Sequence, residues 1–189
     1  MALKKTDRDK VIDSALRLFR EQGYHATSMA DISEACGLLK GSIYHYFPGK
    51  KELAVAALDR VIEEGRERLF RPAANDNLPA DARLRRLADA VEGYFIGRAG
   101  GCLMGNLALE VGNSIPEFGD RIRRYFAEWG EALALLLEEK YGRARARELA
   151  QDMIARAQGA IMLMGITGDD EPLRRAGRDA VALLGANAP

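Results

Sequence analysis

The sequence predicts an all-α fold of about nine helices, a three-helix N-terminal head built on a helix-turn-helix followed by a larger helical body. Three observations carry that expectation. Apolar residues recur at three- and four-residue spacing in segment after segment. No stretch combines sustained period-two alternation with β-branched enrichment, so no strand is expected. Glycines and prolines fall between the periodic segments, where they end one helix and admit the next. A chain of 189 residues can bury a substantial core, and no internal repeat divides it.

The first helix is expected from Thr6 to Gln22. Thr6 and Asp9 form a capping-box-like start, Ile12, Ala15, Leu16 and Phe19 make the buried stripe, and Gly23 closes it. Lys4 and Lys5 precede it as a short basic arm. The second helix opens at Ser28, whose hydroxyl can accept from a free backbone N–H while Asp31 faces the positive helix end. Met29, Ile32, Ala35 and Cys36 follow as its apolar face. Gly37 permits the positive φ of a tight turn. A third short helix runs from Lys40 to Phe47, and Pro48-Gly49 stops it.

Two short helices joined by a glycine-containing turn form a helix-turn-helix, whose second helix can enter the DNA major groove. Ile43 and Phe47, four residues apart, can anchor that helix to the core, leaving Lys40, Gly41, Ser42, Tyr44 and His45 outward. Gly41 lets the backbone approach DNA, and Ser42 can hydrogen-bond a base edge or a phosphate. Tyr44 and Tyr46 offer hydroxyls to phosphates, and Lys50 sets a cation in the first turn of the next helix. Tyr44, His45 and Tyr46 are consecutive and point three ways, so at least one faces solvent.

Thr27, Ile32, Gly37, Gly41, Tyr44, Tyr46, Phe47, Lys50 and Leu53 resemble the N-terminal motif of the tetracycline-repressor (TetR) family of bacterial transcription regulators. The likeness covers about Asp7 to Leu58. Leu39 departs from it, standing where the family usually carries a capping Ser or Thr. The DNA-contacting set expected from motif and resemblance together is Thr27, Ser28, Lys40, Gly41, Ser42, Tyr44, His45, Tyr46 and Lys50. Residues 1–49 would form the DNA-binding domain and 50–189 the ligand-binding and dimerisation domain, joined by a helix over 50–70.

In the body, Leu53, Ala57, Val61 and Leu69 mark the inner side of the linking helix, and Arg71 to Asp81 reads as a loop. Helical patterns follow over Ala80 to about Arg98, from near Cys102, over Glu117 to Tyr141, over Ala144 to about Ile166, and over Asp169 to Leu184. Gly97, Gly100, Gly101 and Gly105 break the second of these patterns from the first. They form no phosphate loop, because no strand precedes them and no Gly-Lys-Ser/Thr ends them. The 28 basic and 28 acidic residues balance, but unevenly. Residues 1–51 hold nine basic against six acidic, a net of +3, and the remainder holds 19 against 22, a net of −3. A basic head on an acidic body suits polyanion binding at one end.

A single helix-turn-helix makes few base contacts, so two heads on a symmetric site are needed for useful specificity. The last two long helices, rich in small residues and methionine (Ala157, Gly159, Met162, Met164), are the expected dimer face; packing inside one chain is the alternative. The resemblance implies the same arrangement, a four-helix bundle in a homodimer. It also implies a small-molecule pocket between linker helix and interface, where Tyr94, Phe95, Cys102, Met104, Asn106, Leu107 and Trp129 fall. Occupancy would tilt the linker and respace the recognition helices, releasing a repressor from its operator. Asn106 is expected as a buried amide able to anchor a polar ligand group. Gly-Cys-Leu at 101–103 resembles a segment of electrophile- and redox-responsive members; Cys102 is thus either a sensor thiol, activated in a helix first turn, or a buried inert one.

Enzymatic function is not expected. His25 and His45 are the only histidines and both lie in the head, and no catalytic triad, carboxylate pair or zinc spacing can be placed. No metal or cofactor is expected. Two cysteines make no disulfide framework, the N-terminus lacks a signal-peptide core, and no run is apolar enough to span a bilayer. The expected location is the cytoplasm, with double-stranded operator DNA, a second copy of the chain and an unknown small molecule as partners, and no membrane.

Overall fold

The computed structural model describes residues 7–74, 77–112 and 114–185. The basic arm Lys4–Lys5, the predicted cap Thr6, Asn113 of the predicted turn and the tail beyond Gly185 lie outside the described residues. Every regular element among the described residues is a helix. These are α1 (Asp7–Gln22), α2 (Met29–Cys36), α3 (Lys40–Tyr46), α4 (Lys50–Gly65), α5 (Ala80–Phe95), α6 (Leu103–Val111), α7 (Pro116–Tyr141), α8 (Arg143–Thr167) and α9 (Glu171–Ala182). Past Gly65, α4 runs on through a π turn, Arg66–Phe70, and a last short turn, Arg71–Ala73. Pro72 has no N–H to bond the carbonyl four residues back, which is a sufficient cause for the irregular ending.

The helices form two compact units. The first holds the chain up to Val61 together with Leu103–Ile122; the second holds Ile62–Cys102 and the chain from Arg123 onward. This division differs from a boundary at residues 49 and 50. Most of α4, all of α6 and the start of α7 go with the head, and the contacts explain why. Leu53, Ala54, Ala57 and Leu58 of α4 are fully buried, as are Met104 and Leu107 of α6 and Phe118 of α7. The Tyr24 and Phe118 rings meet edge to face at 5.2 Å. Arg60 reaches Asp9 at 2.5 Å, and Arg121 forks onto Asp59 at 2.8 and 3.0 Å. The head therefore needs more chain to close its core than the three helices of its motif.

In the second unit, α5 buries Leu84, Leu87, Val91 and Phe95, and α9 packs on both α5 and α8. The rings of Phe70 and Tyr125 meet at 5.6 Å, and Tyr125 lies 6.2 Å from Trp129. Gly65 belongs to this contact, because a Cβ there would sit 2.9 Å from the Tyr125 ring. Arg66 pairs with Glu128, whose carboxyl is held below its ordinary range by that hydrogen bond. In the second unit, α5 ends at Phe95, three residues before the expected stop, because Gly97 turns to φ +78. On α8 the apolar residues divide. Ala150, Ala157 and Ala160 are buried within the chain, while Met162, Leu163 and Ile166 stand 57, 45 and 75% exposed.

Candidate nucleic-acid interface

The entry to the helix-turn-helix is locally encoded. Ser28, in extended backbone, accepts from the Asp31 N–H at 3.2 Å, and its own N–H donates to the Asp31 carboxylate at 2.7 Å. That carboxyl is lowered below its ordinary range, first by the Ser28 N–H and then by the Ser28 hydroxyl. Gly37 ends α2 in the left-handed region, φ 66 and ψ 30, and donates to Glu34 O at 3.1 Å. The buried Ser33 hydroxyl crosses the turn to Leu38 O at 2.6 Å. The buried face of α2 is Met29, Ile32 and Ser33, whereas Ala35 is exposed and Cys36 half-buried. A single apolar face through Ala35 and Cys36 is thus corrected. Ser33 takes the inner place because its hydroxyl is spent on the turn.

Ile43 and Phe47 anchor α3 at 0 and 3% exposure. Lys40, Gly41, Ser42, Tyr44 and His45 are all exposed, and Tyr46 is half-buried with its ring edge against His45 at 5.4 Å. A Cβ at Gly41 would meet nothing within 4 Å. The protein's own packing therefore does not demand glycine there, which leaves room for an outside surface to come close. Leu39 is the N-cap residue, makes no side-chain cap and is 81% exposed.

Two members of the expected contact set are turned to internal work. Thr27 is 1% exposed and its hydroxyl donates to Gly23 O at 2.7 Å. Lys50 sets its ammonium 4.3 Å from the centre of the Tyr24 ring and donates to Tyr24 O at 2.8 Å and His25 O at 3.5 Å. An ammonium has three donors, so this one fastens the loop before α2. Lys51 is likewise paired, with Glu117 at 2.5 Å.

Glu110 of α6 completes that fastening and escaped the sequence reading. One carboxylate oxygen accepts from the Tyr24 N–H at 2.8 Å and the other from the His25 N–H at 2.6 Å. Glu110 lies 86 and 85 positions from Tyr24 and His25 in the chain, and no local pattern links it to them. Lys50 holds the carbonyls of the loop and Glu110 its N–H groups, so the start of α2 is fixed from both sides.

The residues expected around a ligand fall in both units. Tyr94, Phe95, Cys102 and Trp129 belong to the second unit, and Met104, Asn106 and Leu107 to the first. Asn106 is exposed and donates to Arg20 O at 3.3 Å, which corrects the expectation of a buried amide. Met104 and Leu107 are core of the first unit. Cys102 precedes the first turn of α6 instead of lying in it and is 6% exposed, the setting of a packed thiol. The Arg98 guanidinium sits 4.0 Å over the Tyr94 ring. Within the second unit a cavity of ≈ 40 Å³ lies among α5, α7, α8 and α9, with Trp129 the one member of the expected set on its wall. Leu84, Leu87 and Leu173 line it too. Trp129 is 1% exposed and its indole N–H has no acceptor among the described residues. Among those residues no group of His, Cys, Asp and Glu is placed to hold a metal ion, and no helix is long and apolar enough to cross a membrane.

Known proteins share this plan. Residues 11–57 match the family model for bacterial regulatory proteins of the tetR family. Residues 81–179 match the model for the C-terminal domain of LmrA/YxaF-like transcriptional regulators. The chain is 29% identical over 180 residues to the HTH-type transcriptional regulator YxaF of Bacillus subtilis, covering 92% of each. It is 26% identical over 172 residues to the HTH-type transcriptional repressor DhaR of Mycobacterium sp., covering 88% of this chain and 86% of that protein. A crystal structure of a TetR transcriptional regulator from Chloroflexus aurantiacus superposes with a TM-score of 0.80 at 32% identity, covering 94% of this chain and 93% of the other.

Proposed function

The chain belongs to the TetR family of bacterial transcriptional regulators, and from that premise we propose that it is a repressor that binds a two-fold-symmetric operator as a homodimer and leaves it when a small molecule binds the body. The observation that carries the DNA-binding reading is the exposed face of α3. Lys40, Ser42, Tyr44 and His45 point outward around an open Gly41, on a helix pinned from below by Ile43 and Phe47. Such a face supplies a phosphate-seeking cation, donors for base edges and room for close approach.

Three other residues of the expected set have internal roles. Thr27 and Lys50 position the helix-turn-helix, and Ser28 both caps α2 and stays exposed for a phosphate. Dimerisation is supported by Met162, Leu163 and Ile166 on α8, an exposed apolar run that a second copy would cover. Repression is supported by the likeness to DhaR, described as a repressor. A small-molecule site in the second unit is supported by the cavity where Trp129 and the apolar walls of α5 and α9 meet. A thiol-based release through Cys102 is less favoured by its 6% exposure.

Titrating the protein onto duplex DNA from its own promoter region at several salt concentrations tests the assignment. A regulator loses affinity steeply as salt rises, because phosphate-bound cations give up their counterion advantage. Lys40→Ala and Tyr44→Phe should weaken binding and blur discrimination against scrambled duplex. Unchanged affinity in both variants would overturn α3 as the reading element.

A further inference from the structure

The Leu39 side chain contributes little inside the folded chain. It occupies the N-cap position of α3, where Ser, Thr, Asn or Asp would bond a free N–H and leucine ranks among the poorest choices. Its side chain makes no cap hydrogen bond, and at 81% exposure it adds little to the core. Only its backbone is used, Leu39 O accepting from Ser42 N at 2.9 Å and Ile43 N at 3.4 Å. By contrast Ile32, Ile43, Phe47 and Leu53 of the same unit are 0 to 3% exposed. Isolated exposed leucines are ordinary on protein surfaces. Position distinguishes this one, because it stands next to Lys40, Gly41 and Ser42, all exposed and all on the leading end of the helix read above as the DNA-reading one.

The floor of the major groove carries one apolar group, the C5-methyl of thymine, and an apolar side chain is what recognises it. Recognition helices meet base edges with their N-terminal residues. We propose that the Leu39 side chain packs against a thymine methyl in each half-site, which makes Leu39 a specificity-determining residue of this protein. The contact rests on the DNA-binding reading above and adds to it a preferred base. It also accounts for the missing hydroxyl cap, since a serine or threonine at this place offers at most one methyl to the groove.

The experiment removes that methyl and nothing else. The full-length protein selects its duplexes from a randomised pool, and in the selected duplex each thymine is replaced by deoxyuridine, one symmetric pair at a time. Burial of one methyl corresponds to about a fourfold change in affinity per half-site. The wild-type protein should therefore lose about fourfold per half-site at one thymine pair. Leu39→Ala should bind the thymine and uridine duplexes alike at that pair. Leu39→Ser, which restores a capping hydroxyl and so protects folding, should also be indifferent there. Leu109→Ala, which removes an equally exposed leucine on α6 (90%), should keep the wild-type response. A wild-type protein indifferent to uridine at every position overturns the proposal, as does a Leu39→Ala variant that still loses fourfold. Failure to enrich any duplex refutes the regulator reading itself and the Leu39 contact with it, a result separable from enrichment without methyl sensitivity.

Discussion

Removing the Glu110 carboxylate tests whether a residue on α6 holds the helix-turn-helix in place. In the native chain this group accepts two backbone hydrogen bonds, from Tyr24 at 2.8 Å and His25 at 2.6 Å. A hydrogen bond to a charged group contributes about 1.5–3 kcal/mol. Glu110 is half-buried, so water competes for it and the lower end applies. Two such bonds then amount to about 3 kcal/mol, and partial rescue of the freed N–H groups by solvent brings Glu110→Ala to a loss of about 2 kcal/mol. Glu110→Gln keeps one acceptor oxygen without charge and should lose about half of that. Urea unfolding followed by circular dichroism, at one fixed protein concentration, measures both. Amide resonances of Tyr24 and His25 should move upfield in both variants, which ties the loss to this contact. Operator affinity should fall as well, because the entry to α2 is no longer fixed. A Glu110→Ala cost below about 0.5 kcal/mol, or equal costs for Ala and Gln, would refute the reasoning.

Three further outcomes are expected. Gly37→Ala should destabilise by about 1 kcal/mol through backbone conformation alone, since φ is +66 and a Cβ there meets nothing within 4 Å; Gly37→Asn should cost less in the same thermal melts. Arg66→Met should remove an acid-sensitive part of the stability. Glu128 is held below its ordinary range by Arg66, so the pair stabilises above the unfolded carboxyl value of about 4.3 and is lost as pH falls through the lower folded value. The gap between wild type and Arg66→Met in urea midpoint should therefore shrink below about pH 4, and a constant gap would show that the pair is not its source. Ile166→Glu, placed on the exposed run of α8 at 75% exposure, should convert a dimer into a folded monomer by sedimentation velocity; an unchanged mass would locate the interface elsewhere.

Much of the DNA-binding end was legible because its signals are local. A capping Ser28-Asp31 pair, a left-handed Gly37 and the Ile43/Phe47 spacing each act within five residues, and each appears as read. The body was harder. A buried Asn106 is the expectation from the sequence, yet its neighbours Met104 and Leu107 turn inward and leave it on the outer side of α6. Thr27 and Lys50 fit the motif, but a motif names positions and not partners. Gly23 claims Thr27 inside one loop, four residues away, whereas Tyr24 and His25 meet Lys50 only when the loop before α2 folds back onto α4.

The sequence alone determined that the chain is helical, where its helices begin and end to within a few residues, and which short helix presents a charged, tyrosine-bearing face. Those properties follow from periodicity, caps and turn residues, all of which act between near neighbours. Only the tertiary structure decided that α6 and most of α4 complete the head's core, that Glu110 and Lys50 grip one loop from opposite sides, and that Trp129 and not Asn106 faces the cavity. Contacts between residues 26 to 86 positions apart depend on how faces pack, and packing is a property of the assembled helices that no single segment carries.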